Sequence, residues 1–178
     1  ICLLVLLSLL FFLILLLVLR RLYHLHRECL RLQTVLAQQD DYRTQALTDV
    51  LTGLPNRRSL RNLLSALSGS GRPVCAVTLD LNGLKEINDL QGHVAGDHLL
   101  RQMAQCLRHA CPSNVHAFRV GGDEFVLIGA DLSQDQSKRF VEHLRSQLSH
   151  AGLDAALGWT WGTADALENL HGLLTESD

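Results

Sequence analysis

Four residues, Gly121-Gly122-Asp123-Glu124, separate two apolar runs, Val115 to Val120 and Phe125 to Ala130. Apolar runs of this length around a Gly-Gly turn read as two antiparallel strands, so the chain is committed to a sheet with adjacent acids at a hairpin tip. Glycine permits the positive φ of a tight turn and leaves no side chain in the way of a ligand approaching the backbone. A further acid, Asp80, stands near the end of the run Val74 to Leu81, and positions 82–89 continue as a loop and helix. If the two segments pair in one sheet, Asp80 and Asp123 face each other across a gap that suits a hard divalent cation.

The elements around the hairpin follow from periodicity. Apolar residues at 60, 63, 64 and 67 give Arg57 to Leu67 a helical face after the breaker Thr52-Gly53-Leu54-Pro55-Asn56. A Gly/Ser/Pro loop at 68–73 precedes the strand Val74 to Leu81. Helix Gly96 to Ala110, strands Val115 to Val120 and Phe125 to Ala130, helix Ser133 to His150 and a last strand near Leu153 to Thr163 complete the pattern. The order βαββαβ implies an α+β domain, an antiparallel sheet backed by helices.

The first 19 residues, Ile1 to Leu19, carry no charge and only Ser8 as a polar side chain. As a helix they reach across roughly 30 Å of hydrocarbon. Arg20-Arg21 follow the run instead of preceding it, and no small-residue cleavage site appears, so the run reads as a transmembrane helix and not as a signal peptide. The positive-inside rule then places everything after Leu19 in the cytosol. The chain opens at Ile1 inside that run, without an initiator Met, which leads us to expect a piece of a longer protein. Through 20–48, Leu22, Leu25, Cys29, Leu32, Leu36, Gln39, Arg43 and Ala46 repeat at spacings of three and four. That seam fits either a dimeric coiled coil or a plain amphipathic stalk. Asp49 opens the domain proper, 49–178.

A net charge of −2 argues against nucleic acid as an electrostatic partner. Five cysteines without a C-x-x-C pair suit small buried hydrophobes better than disulfides or a zinc site, and His93 and His98 lack further ligands at usable spacing. Trp159 and Trp161 alternate along the last strand as packing residues.

Three ordered blocks bring in a family. Asp49-Val50-Leu51-Thr52-Gly53-Leu54-Pro55-Asn56-Arg57-Arg58 is the first. The second is Asp80-Leu81-Asn82-Gly83-Leu84-Lys85-Glu86-Ile87-Asn88-Asp89 with Gly92-His93 and Gly96-Asp97, and the third is Arg119-Val120 with Gly121 to Phe125. In order and separation they resemble the GGDEF family, the diguanylate cyclases that join two GTP into cyclic di-GMP, over roughly residues 47 to 178. The resemblance implies a ferredoxin-like, palm-type nucleotidyl cyclase fold, GTP as substrate, a homodimer, and a place at the inner membrane of a bacterium with the domain in the cytoplasm. It implies Mg²⁺ held by Asp80, Asp123 and the Leu81 carbonyl, with Glu124 assisting a metal or the proton transfer. Which acid is the base, Asp123 or Glu124, stays open. Asn88 and Asp97 resemble the guanine-reading pair, although singly Asn88 reads equally as a helix cap and Asp97 as a first-turn acid. Lys85 is placed near the phosphates, with the Gly83 and Leu84 amides helping to cradle them and Gly121 and Gly122 leaving the backbone open to substrate. The break at 52–56 would be a wrap joining stalk to domain; without the resemblance it is an ordinary loop ending at Pro55.

The match departs from the family at Asn82, usually Asp, and at Leu84, usually Phe. Pro112 and Val115 stand where an inhibitory product site has its Arg and Asp, so feedback through that site is expected to be absent. Residues 173–178 look like the start of a closing helix whose later basic residues are missing, so the 178-residue piece is expected to be weakly active or unstable. The rival reading is a GGDEF-like module that binds GTP or a protein without turnover.

Overall fold

The computed structural model describes residues 12, 16–17, 19–31, 33 and 46–163. It divides into two units, 1–44 and 45–178. In the first, the described residues are helical and exposed, including Leu16, Leu17, Leu19, Leu22 and Leu25. Surface pairs decorate that helix: His24 lies 3.6 Å from Glu28, and the Arg27 guanidinium sits 5.7 Å from the Tyr23 ring centre. Most of the run Ile1 to Leu19, the seam positions Leu32, Leu36, Gln39 and Arg43, and everything after Thr163 lie outside the described residues. Among the described residues no helix is long and apolar enough to cross a membrane.

The second unit contains α1 (Arg57–Leu67), β1 (Pro73–Leu81), α2 (Leu84–Gln91), α3 (His93–Ala110), β2 (Val115–Arg119), β3 (Glu124–Ala130), α4 (Gln134–His150) and β4 (Ala155–Thr163). The four strands form one sheet in the order β2-β3-β1-β4, every neighbouring pair antiparallel. Each helical crossover skips one strand position, which is the ferredoxin-like split βαβ arrangement expected from the element order.

Local chemistry starts and stops these helices. The Asn56 side chain accepts from the Arg58 and Ser59 amides and so begins α1, and Ser133 with Gln136 forms a reciprocal capping box on α4. Two helices occupy the stretch between β1 and β2, separated at Gly92, whose φ of +85° an L side chain rarely adopts. The expected helix from Gly96 therefore begins three residues earlier, at His93, with the separate α2 before it.

Alternation along β1 sorts the sheet into two faces. Cys75, Val77, Leu79 and Leu81 point into the core beneath α3 and α4, with Met103, Leu107, Phe125, Leu127, Val141 and Leu144. Val74 and Ala76 point the other way, onto Leu60 and Leu67 of α1, with Phe118, Val126 and Ile128. On that second face α1 covers only part of the sheet, and Thr78, Asp80, Ala156, Gly158 and Thr160 are exposed. Cys75 is buried, and burial pushes its thiol pKa up despite a hydrogen bond with Ser137. Burial, with the neighbouring Cys106 adding to it, takes Cys111 up to about 12, so these cysteines serve as inert packing groups. Trp159 packs against the core, while the Trp161 indole donates to the Leu132 carbonyl at 2.8 Å.

Leu60 is fully buried and anchors α1 to the sheet. Leu60→Ala is expected to lower stability by about 2–5 kcal/mol in urea unfolding; a loss well under 1 kcal/mol would mean that α1 is not held by this contact.

Candidate functional site

The ladder between β1 and β3 determines which acids meet. Its register sets Asp80 opposite Glu124 and Leu79 opposite Phe125. Directly opposed residues share a face with Cβ atoms about 4.5–5.5 Å apart, so Asp80 and Glu124 project from the same face, on the part of the sheet that α1 leaves open. This corrects the expectation that Asp80 faces Asp123. The four-residue connection between β2 and β3 is 120–123, one place earlier than expected, because Glu124 is already in the strand, its carbonyl accepting from Val120 N–H at 3.0 Å. Asp123 falls one place further on, and its carbonyl accepts from Leu81 N–H at 3.0 Å.

The turn glycines also behave differently from expectation. Neither Gly121 nor Gly122 takes a left-handed φ. At Gly121 the Glu124 carboxylate folds over the turn, and a Cβ there would have to displace the flexible Glu124 Oε2. At Gly122 a Cβ would meet nothing, consistent with an approach route left open for a ligand.

An arginine that the sequence reading quoted without a role holds this turn. Arg119 donates from Nη2 and Nε to the Gly122 carbonyl, at 2.7 and 3.2 Å, and from Nη1 to Asp49 Oδ1 at 2.9 Å. Asp49 in turn accepts from the Thr52 hydroxyl at 2.5 Å and the Thr52 amide at 2.9 Å. Burial would raise the Asp49 pKa, but the Thr52 and Arg119 hydrogen bonds outweigh it and hold the carboxyl below its usual range. The segment around Pro55 is therefore a folded wrap, closed by a Thr48–Pro55 bridge and joined to β2 through Asn56 and Arg119. Arg57 donates to the Val120 carbonyl at 2.9 Å and lies 4.0 Å from Glu124 Oε2.

On the other flank, α2 and α3 meet at Gly96, where any Cβ would collide with Asn88 Oδ1. That contact sets the half-buried Asn88 against Gly96, which Asp97 follows along α3. Asn88 lies inside α2, whose caps are Gly83 and Gly92, and α3 starts four residues before Asp97, with no acid in its first turn. Neither the helix-cap nor the first-turn reading of the pair therefore applies. Asp97 has a half-exposed partner in Arg101 at 3.6 Å. Gly83 begins α2 with φ +77°, Leu84 packs partly into the core, and Lys85 is exposed in the first turn. Asn82 is exposed and donates its backbone N–H to the Asp154 carbonyl at 3.0 Å. Val115 is buried at the start of β2, and Pro112 is exposed.

The donor set fits Mg²⁺ in kind. Asp80, Glu124, Asp123 and the Leu81 carbonyl are hard oxygen donors within two adjacent strand ends. Among the described residues no three acid, His or Cys side chains converge into a ready cage. Mg²⁺ commonly takes one or two carboxylates and completes its shell with water and substrate phosphate, so such a cage is not needed.

Comparison with known proteins places this constellation. The family model described as "Diguanylate cyclase, GGDEF domain" matches residues 46–158. The chain belongs to the GGDEF diguanylate cyclase family. It is 36% identical over 114 residues to diguanylate cyclase DosC of Escherichia coli K12, covering 62% of this chain and 25% of DosC. With diguanylate cyclase VdcA of Vibrio cholerae it shares 37% over 103 residues, 58% of this chain and 30% of VdcA. It thus spans about a quarter to a third of the curated relatives it matches. The solved coiled coil and GGDEF domain of DgcB from Caulobacter crescentus, in complex with c-di-GMP, superposes with TM-score 0.73 over 86% of this chain and 92% of that one. At 22% identity that likeness shows the fold alone.

Asp49→Ala is expected to cost about 1–3 kcal/mol at neutral pH by leaving Arg119 and Thr52 without their shared acceptor. Because the Asp49 pKa is lowered by folding, its contribution is present above the unfolded value of about 3.9 and disappears as pH falls through the lower folded value. Urea unfolding of both proteins from pH 7 to pH 2 should therefore show their stability difference narrowing only below about pH 4; a gap independent of pH would refute the ionic part of this role.

Proposed function

We propose that the chain carries the catalytic module of a diguanylate cyclase that condenses two GTP into cyclic di-GMP with release of pyrophosphate, as a homodimer using Mg²⁺. The observation that carries this reading is the Asp80–Glu124 pair, placed by the ladder on the uncovered face of the sheet. Magnesium bound by these oxygens would neutralise triphosphate charge and polarise the phosphoryl centre. The chain's own residues supply placement. Asn88, set against Gly96, and Asp97, which follows that glycine, present an amide and a carboxylate that match the acceptor and donor edges of guanine and mismatch adenine. Lys85 and the amides that open α2 meet the phosphates. In the reacting arrangement each ribose 3′-oxygen bonds to the opposite α-phosphorus while the bond from that phosphorus to the β-phosphate oxygen breaks. Pyrophosphate leaves, and a carboxylate at the hairpin takes the hydroxyl proton. Two copies must face each other, because one domain holds one nucleotide.

Anchoring at a bacterial inner membrane through 1–19, with the domain cytoplasmic, belongs to the same proposal. The uncharged run and the two arginines after it support it. Asn82 in the place of a usual acid favours the competing reading, a GTP-binding or protein-binding module without turnover.

Incubation of the dimeric protein with GTP and Mg²⁺, read by chromatography of cyclic dinucleotide, separates the two. Product should form, and Asp80→Asn or Glu124→Gln should reduce the rate by about 10²–10⁴-fold. Folded dimer that binds GTP and yields no product would establish the adaptor.

Gly96→Ala tests the guanine site independently of turnover. Asn88 Oδ1, the end of a flexible side chain, must move aside. Global stability is expected to change by no more than about 1 kcal/mol, while GTP affinity drops about tenfold or more through the lost amide contact. Unchanged affinity in calorimetry would remove Asn88 from the site.

A further inference from the structure

A cavity of about 370 Å³ adjoins the hairpin where the start of α1 meets the end of β2. Arg57, Arg58, Arg61 and Arg119 line it, together with Asn56 and Gly121. Among the described residues, Asp49 is bonded to Arg119 and Glu124 lies 4.0 Å from Arg57. Among the described residues the Arg58 and Arg61 guanidinium groups have no hydrogen-bond or ion-pair partner, and both residues are exposed. Among the described residues, the pocket therefore holds two positive charges, those of Arg58 and Arg61, that nothing on the wall balances.

A second observation points to a ligand. A helix N-terminus favours negative charge, yet the first turn of α1 carries Arg57 and Arg58 and no acid. Arginines placed there oppose the helix dipole, and a bound anion removes the conflict by pairing with the arginines and the dipole at once. The composition of the wall narrows the anion. Among the described residues no aromatic side chain lines the cavity, and its guanidinium groups are suited first to anionic oxygens. Guanidinium forks match phosphoryl oxygens in pairs, which a single carboxylate exploits less fully. The volume lies at the small end of ligand-sized cavities, roughly 300–1,000 Å³.

The geometry points to a phosphate-binding site formed by Arg57, Arg58 and Arg61 beside the catalytic hairpin, taking a diphosphate-like group by its oxygens and ignoring any base attached to it. The group can come from free pyrophosphate or from a nucleotide that reaches in from a facing copy. Binding needs neither magnesium nor turnover, so this site can be tested whatever the outcome for the cyclase reading.

The experiment titrates the full chain with EDTA present, using inorganic pyrophosphate in one arm and a non-hydrolysable GTP analogue in the other, by calorimetry. Arg58→Gln/Arg61→Gln should weaken whichever ligand fills the pocket by about tenfold or more, whereas Lys85→Gln should weaken that ligand less. Loss in the pyrophosphate arm identifies the free anion, and loss confined to the analogue identifies a nucleotide. Absence of binding in both arms, an unaffected double variant, or an equal loss in Lys85→Gln would overturn the site. Should the double variant fold poorly, arginine Nε–Hε signals of the unsubstituted protein provide the same decision: those of Arg58 and Arg61 shift on addition of the ligand, and silence there refutes the proposal.

Discussion

Everything at this site depends on one hydrogen-bonded register, that of β1 against β3. Leu81 N–H bonds to the Asp123 carbonyl, and Asp80 stands opposite Glu124. Because side chains alternate, a slip of one residue would exchange the faces, driving Glu124 toward the core and Phe125 out of it. Phe125 is fully buried beneath α3 and α4. The cost of exposing it, together with that of burying a carboxylate, fixes the acids on the open face more firmly than any bond they make themselves. Packing of apolar neighbours thus positions the acids.

Arg119 converts that register into a placed turn. Its guanidinium spans two acceptors of different origin, the Gly122 carbonyl three residues ahead and Asp49 seventy residues behind in sequence. A lysine could supply the charge, but not the planar fork that serves both at once. The ion pair is well shielded, with the two side chains 12% and 25% exposed, so it belongs with the structural pairs and not with screened surface ones. The wrap at Asp49 and the turn at Gly122 are thus held to each other through a single planar group.

Legibility varied with the range of the interaction. Helix Arg57–Leu67 and the strands stand where apolar periodicity put them, because a local pattern and a matching cap act within a few residues. The α2–α3 division was less readable: an eight-residue helix has too little length to show a period, and Gly92 marks the break only through its φ. The Asp80–Glu124 pairing and the Arg119–Asp49 clamp could not be read from spacing, since register and long-range side-chain bonds depend on how the sheet assembles. The turn glycines misled for a related reason. Gly-Gly suggests left-handed backbone, whereas neither residue adopts it and the Glu124 carboxylate folds over Gly121. The acids themselves stood out from sequence because polar residues at strand ends have no packing role.

The contact between Arg57 and Glu124 shows how loosely that carboxylate is held. At 4.0 Å, two unit charges attract by about 4 kcal/mol with an effective dielectric of 20. Glu124 is 49% exposed, however, so solvent screening reduces the net worth of the pair to about 0–1 kcal/mol. Such a pair biases the carboxylate without locking it. Arg57 is anchored independently by the Val120 carbonyl, so the guanidinium keeps its place whether or not Glu124 stays beside it. This corner of the fold therefore pairs an anchored guanidinium with a weakly attached carboxylate.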